Sequence, residues 1–386
     1  MILELHLIQN FAPSNLNRND TGAPKDCIFG GSRRARISSQ CFKRAMREHF
    51  RNNFAAQENL AERSTRLVEE IASQLVTSGK DKEEAKRVVE AALSGIGLKM
   101  SAKDPNKTQY LLFLGRGEIK KIAEICLSNY EALVAVAPQP VENLSSKDAK
   151  KAAKGAVPAE VSKVLQKVLD GGKASDLGLF GRMLADLPDK NRDASSQVAH
   201  AISTHRVGLE FDFFTAVDDL KPEDTAGSDH LGTIEFNSAC FYRYANVNVE
   251  KLRENLQGDE DLTKATIEAY IRASVEAIPT GKQNSFATHE KPSFVLAVVR
   301  DSGMCSLANA FVKPVKESAD KDLVSASVEA LENHWQKLAQ GYGDESQKFA
   351  FNISDHDLNH LQDARQTRMN DLVSNVVGAI FSPREA

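Results

Sequence analysis

Phe29-Gly30-Gly31-Ser32-Arg33-Arg34-Ala35-Arg36-Ile37-Ser38-Ser39-Gln40-Cys41-Phe42-Lys43-Arg44-Ala45-Met46-Arg47 begins as a short apolar run broken by two glycines. Six basic residues and no acid then lie between Arg33 and Arg47. From Ser38 to about Phe54 the spacing predicts a helix, because Phe42, Ala45, Met46, Phe50 and Phe54 fall on one stripe. Ser38 or Ser39 can cap its start. Lys43, Arg44 and Arg47 lie off that stripe and can face outward. Glycines let a backbone approach a phosphate closely, and a helix start offers free N–H groups to an anion. Two readings of this run stand side by side: a track for a single-stranded phosphate backbone, or a solvated basic helix face.

Upstream, residues 2–8 read as a strand with Leu3, Leu5 and Leu7 on one face and Glu4 and His6 on the other. Asn10 to Lys25, with Pro13, Gly22 and Pro24, reads as a long loop. Downstream, the chain turns helical. Leu67, Val68, Ile71, Leu75 and Val76 form one stripe, stopped by Gly79. Asp81 with Glu84 resembles a capping box. Ile119, Ile122, Ile125 and Cys126 begin another helix, and residues 135–143, with Pro138 and Pro140, read as a linker. Val161, Val164, Leu165, Val168 and Leu169 make a further helix, ended by Gly171-Gly172. The second half changes character. Residues 233–249 and 293–299 are rich in β-formers, while Ile267–Val275 and Val324–Leu338 carry helical stripes. Strands and helices in this order predict an α+β fold with a mostly antiparallel sheet.

The chain has 386 residues, so two or three domains are expected,. Its 49 Lys and Arg against 53 Asp and Glu leave a net charge of −4, which argues against a globally basic binder but not against a local basic surface. No apolar run is long enough for a transmembrane helix, and the N-terminal residues do not resemble a secretory signal. The five cysteines form no CxxC pair, so neither a zinc ribbon nor a disulfide framework is expected, and a reducing cytoplasm is the natural setting,.

Two other constellations invite a binding role. Lys147, Lys150, Lys151 and Lys154 share one helix face; they are either an exposed Ala/Lys helix or a surface for a polyanion. In Glu210-Phe211-Asp212-Phe213-Phe214, alternation puts Phe211 and Phe213 on one side and Phe214 on the other. Core packing is the favoured reading of these rings, with a base-stacking wedge as the other. Catalytic signatures are weak. His356 and His360 lack the Glu that a metalloprotease helix needs and read as a surface pair. His200 and His205 do not share a helix face, and Thr280-Gly281-Lys282-Gln283 is not a P-loop.

The chain resembles the CasC family, the backbone subunit of the type I-E CRISPR Cascade surveillance complex. The anchors run in order: residues 16–20 (Leu-Asn-Arg-Asn-Asp), 25–31, 34–40, 43–47, Gly181-Arg182-Met183, 200–205, 214–219, 230–233, 241–246 and 306–311. The resemblance implies a modified RNA-recognition (ferredoxin-like) palm, with an inserted helical fingers domain and a β-hairpin thumb. The implied divisions are 1–55 for the first part of the palm, 56–194 for the fingers, 205–236 for the thumb and 237–386 for the rest of the palm. It further implies a non-enzymatic, cytoplasmic subunit that needs no cofactor. Several copies would polymerise along one CRISPR RNA, each thumb displacing every sixth nucleotide, with target DNA, other Cascade subunits and a recruited helicase-nuclease as partners. Carried over residue by residue, Arg18, Lys25, Ser38, Gln40, Lys43 and Arg44 match positions that hold the RNA backbone. Met183 and Phe214 match the pair bracketing the displaced nucleotide, and Lys147, Lys150, Lys151 and Lys154 match a finger cluster that guides duplex DNA. Phe213 stands where the family pattern has a tryptophan. Related subunits of type III complexes cut RNA with an aspartate and a metal, and Asp20 and Asp26 occupy a comparable early loop.

Overall fold

The computed structural model describes residues 1–104, 106–137, 157–216 and 230–382. They form two compact units. One comprises Met1–Asn53, Ser196–Val249 and the chain from Lys264 onward, and the other comprises Phe54–Ser195 with Glu250–Thr263. The fold is mixed α+β.

The strands are β1 (Ile2–Ser14), β2 (Asp26–Phe29), β3 (Ser32–Ile37), β4 (Ala61–Ser64), β5 (Leu112–Gly115), β6 (Ser196–Val198), β7 (Ala201–Ser203), β8 (Glu210–Ala216), β9 (His230–Asn248), β10 (Phe294–Arg300), β11 (Gln347–Asn352) and β12 (Arg365–Gln366). In the first unit the sheet order is β12-β11-β10-β1-β9-β7-β3-β2, with β6 and β8 also paired to β9. Only the β11–β12 pairing is parallel among those described.

β1 is the central strand, and it outruns the sequence expectation by six residues. The reason is pairing on both edges: β10 and β9 flank it, and β9 follows it past Asn10 to Ser14. Both faces of β1 are covered. On one face Ile8, Tyr242, Tyr244, Leu296 and Val298 pack under Val328, Leu331 and Trp335 of the Leu323–Tyr342 helix. On the other, Phe11, Ala239 and Phe241 pack with Phe42 of the Ser39–Asn53 helix. That helix buries Phe42, Ala45, Met46 and Phe50, the stripe its spacing predicts.

Burying both faces of β1 puts Glu4 and His6 inside. Glu4 Oε1 accepts the Tyr244 hydroxyl (2.6 Å) and the Cys305 N–H (2.6 Å), and Oε2 lies 2.8 Å from Arg300 Nε. His6 Nδ1 meets the Tyr242 hydroxyl at 2.9 Å. Burial, and secondarily the charge of Arg300, lowers the His6 pKa to about 3. An unfolded chain titrates His near pH 6.5, so stability is full above that and is lost as pH falls toward 3. We expect roughly 1.5–2 kcal/mol of loss between about pH 6.5 and pH 5 from this group. Denaturant titrations followed through Trp335, whose ring sits edge-on to His6, measure it, and His6→Gln should flatten the dependence.

The second unit is built from amphipathic helices. Leu67–Thr77, Lys82–Gly95, Arg116–Ser128 and Ala159–Val168 bury Leu67, Ile71, Leu75, Val88, Ile119, Ile122, Val161 and Leu165 in one core. Gly79 and Gly171 take positive φ after their helices. Asp81 caps its helix by accepting the Glu83 and Glu84 N–H groups, and these bonds lower its pKa. The reciprocal half of the expected box does not form, because Glu84 accepts the Tyr130 hydroxyl at 2.9 Å. Glu250–Thr263 packs in this unit: Asn255 Nδ2 donates to the Gly178 and Asp193 carbonyls, both at 2.9 Å. Among the described residues, no helix is long and apolar enough to cross a membrane.

Candidate nucleic-acid interface

β2 and β3 form a hairpin in which Phe29 faces Ser32 across Gly30-Gly31. Both glycines have positive φ (57° and 73°), as a two-residue turn matching strand twist requires,. A Cβ on Gly30 would fall 1.8 Å from the Val312 carbonyl oxygen. So Gly30 serves close packing inside the protein, rather than the phosphate approach read from the sequence.

The six basic residues divide in the structure. Arg34 is fully buried, and its guanidinium donates to the carbonyls of Ser203 (3.0 Å), Thr204 (2.8 Å), Phe311 (2.7 Å) and Val312 (3.3 Å). It ties the hairpin to two distant segments and is unavailable to a ligand. Arg33 is ion-paired with Asp26. Arg36 donates to the Asp26 carbonyl and lies 2.9 Å from His200 Nδ1. Lys43 is half-buried, which lowers its pKa. Arg47 is half-buried and Arg44 is exposed.

The stretch read as a long loop is strand as far as Ser14, and a compact turn after it. Asn15 Nδ2 donates to the Gly22 carbonyl, and Asn19 Oδ1 accepts from the Thr21 hydroxyl and from the Thr21 and Ala23 N–H groups. Asn17 Oδ1 accepts the Ser38 N–H (2.8 Å), and the Asn17 carbonyl accepts the Lys25 N–H (2.8 Å). Ser38 Oγ accepts the Cys41 N–H and caps the helix. These bonds bring Arg18, Lys25, Ser38 and Arg44 into one neighbourhood. Arg18 and Arg44 line an open groove of about 850 Å³ together with Asn17, Asn19, Asp20, Glu48, Asn52 and the 279–281 turn. Lys25 and Arg44 both act electrostatically on Cys41, opposing the rise that burial imposes on its pKa. Lys25 and Arg36 likewise add to the burial that lowers His200.

The side chains of Arg18, Lys25, Gln40 and Arg44 make no hydrogen bond or ion pair with any described residue. Some cations elsewhere do find partners, as in Lys86–Glu83, Lys99–Asp186 and Lys173–Asp259. Asp26, one of the two early-loop aspartates, is taken by Arg33, while Asp20 lines the groove. No group of three metal-ligating residues occurs among the described residues.

β8 pairs antiparallel with the first part of β9. Phe211 and Phe213 are each 66% exposed, so the core-packing reading fails for them. Phe214 is half-buried, and its ring covers Gly232 directly across the ladder, where an added Cβ would stand 2.4 Å from Cζ. Only a glycine opposite leaves room for that ring.

Met183 belongs to the helical unit and is 79% exposed. Its neighbour Arg182 is buried, with Nη1 2.9 Å from both carboxylate oxygens of buried Glu118. Glu118 also accepts the Gly115 and Gly171 N–H groups. An exposed methionine thus stands on a fixed base, and nothing in the local pattern around Arg182 signals its partner. Lys147, Lys150, Lys151 and Lys154 lie outside the described residues. The expected surface histidine pair is corrected: His356 is buried against Glu332 of the Leu323–Tyr342 helix (2.9 Å), whose other oxygen accepts the His360 N–H.

No curated protein matches the chain in sequence. Among solved structures, a chain of a "CRISPR RNA-guided surveillance complex, pre-nicking" superposes with a TM-score of 0.87 at 30% identity, over 99% of this chain and 100% of that one. A chain of a second "CRISPR RNA-guided surveillance complex" gives a TM-score of 0.76 at 26% identity, over 98% and 100%. A family model described as "CT1975-like protein" matches residues 3–375. Since that match takes in both the sheet unit with its basic groove and the helical unit with Met183, the chain belongs to the family of CT1975-like proteins.

Proposed function

We propose that this protein is a non-catalytic, CRISPR RNA-binding backbone subunit of a type I-E Cascade complex, working in the cytoplasm. On this reading the sheet unit is the RNA-recognition-like palm, the helical unit the fingers, and the β8–β9 hairpin the thumb. Copies assemble along one guide RNA, and Phe214 with Met183 brackets every sixth nucleotide, so that short segments remain free to pair with target DNA. Lys147, Lys150, Lys151 and Lys154 guide that duplex, and other Cascade subunits and a recruited helicase-nuclease complete the assembly.

The observation that carries this reading is the set of cations whose side chains have no partner among the described residues: Arg18 and Arg44 on one groove, and Lys25, which acts with Arg44 on Cys41 near the helix start. Clustered like charges repel, and an RNA backbone threaded past them converts that repulsion into attraction. Sequence-independent contact suits a subunit whose specificity comes from base pairing. Nuclease digestion of the purified complex tests the reading. Protected RNA is expected; absence of RNA would leave a protein-only scaffold. Cleavage of complementary RNA at regular intervals in Mg²⁺ would overturn the non-catalytic part.

A further inference from the structure

Pro279-Thr280-Gly281 line the same groove as Arg18 and Arg44, and Lys282 follows them at once in the chain. This turn is held from several sides. A Cβ on Gly281 would lie 2.3 Å from the Leu16 carbonyl oxygen, so the turn rests directly on the backbone that carries Arg18. Gln283 Nε2 donates to the Pro279 (3.0 Å) and Thr288 (2.9 Å) carbonyls, closing the segment on itself. The Phe286 ring lies 5.7 Å from that of Phe236 in β9. Lys282 and Ala287, at the two ends of the short Gln283–Phe286 helix, both adopt left-handed backbone (φ 53° and 49°), which side-chain-bearing residues rarely do,. The Lys282 carbonyl accepts the Ser285 and Phe286 N–H groups, while its side chain makes no hydrogen bond or ion pair with any described residue. Two carboxylates, Asp20 and Glu48, also face the groove, and Glu48 lies 3.5 Å from Arg51.

We propose that the Pro279–Lys282 turn is a second wall of the RNA track and that Lys282 is a further contact to the sugar–phosphate backbone. This rests on the RNA-binding reading above. A turn that lines the groove, with a cation next to it in sequence whose side chain has no partner among the described residues, adds a contact point for an extended polyanion beyond the helix face that carries Arg44.

The test titrates the full-length chain with a fluorescein-labelled, mixed-sequence 30-nucleotide single-stranded RNA at several salt concentrations, comparing Lys282→Gln, Lys282→Arg and Arg44→Gln. One lost phosphate contact should make the log–log salt slope shallower by about 0.7. That corresponds to roughly threefold less affinity loss between 50 and 200 mM salt. Lys282→Gln is expected to show this change and Lys282→Arg to restore the slope. An unchanged slope for Lys282→Gln beside a reduced one for Arg44→Gln would overturn the second wall and leave the RNA reading intact. Unchanged slopes for both would overturn the two together. Thermal unfolding midpoints confirm that each variant is folded.

Discussion

Arg182→Ala is expected to destabilise the helical unit by about 3–5 kcal/mol, the cost of leaving a buried charge without its partner. Both side chains are essentially inaccessible, at 0% and 1% exposure. Removing the guanidinium strands the Glu118 carboxylate, which keeps only the Gly115 and Gly171 N–H groups. It also releases the carbonyls of Leu169 and Lys190, which Arg182 Nη2 now satisfies. Replacing both partners together, as Arg182→Met with Glu118→Leu, should cost far less, because no unpaired charge remains. The probe must be chosen with care. The only tryptophan, Trp335, lies in the sheet unit and does not report on this one. Amide hydrogen exchange along the Arg116–Ser128 helix reads the effect directly. Protection unchanged in Arg182→Ala would show that the pair contributes nothing.

The second large effect concerns RNA. Lys43→Glu with Arg44→Glu should weaken retention of guide RNA by about 100-fold or more. Two charge-assisted contacts are lost, at roughly 1.5 kcal/mol or more each, and two repulsive charges replace them. Arg44 is exposed on the groove and Lys43 sits one position before it on the same helix. Neither lies on the apolar stripe of Phe42, Ala45, Met46 and Phe50, so the fold should survive. The measurement is the RNA co-purifying with the variant, with its circular dichroism as a control. Retention equal to wild type would remove this helix from the interface. Arg34 must not be used for such a test: its loss would open the hairpin and mimic an RNA defect.

Much of the architecture is legible in local pattern. The Ser39–Asn53 helix, the helices of the second unit, the Asp81 cap and the buried β10 strand follow from spacings of two, three and four residues. Where local reading went astray, longer-range pairing was responsible. β1 extends to Ser14 because β9 continues beside it, and no property of Asn10 or Phe11 announces that partner. Phe211 and Phe213 look like core residues by composition, yet both are largely exposed among the described residues. His356 lies far along the chain from the helix whose Glu332 holds it.

The sequence by itself determined the class of fold and the existence of a concentrated basic segment, since periodicity and charge are properties of neighbouring residues. It could not say which of those charges are spent inside the protein. Arg34 is consumed by carbonyls 169 to 278 positions away. Arg182 finds Glu118 across 64 positions. Among the described residues the side chains of Arg18, Lys25 and Arg44 find no partner, and Arg18 and Arg44 line one groove. That sorting is a matter of tertiary structure, because only the sheet order and the packing of helices bring distant donors and acceptors within 3 Å. Identical guanidinium groups become internal braces or outward contacts according to what the chain folds against them.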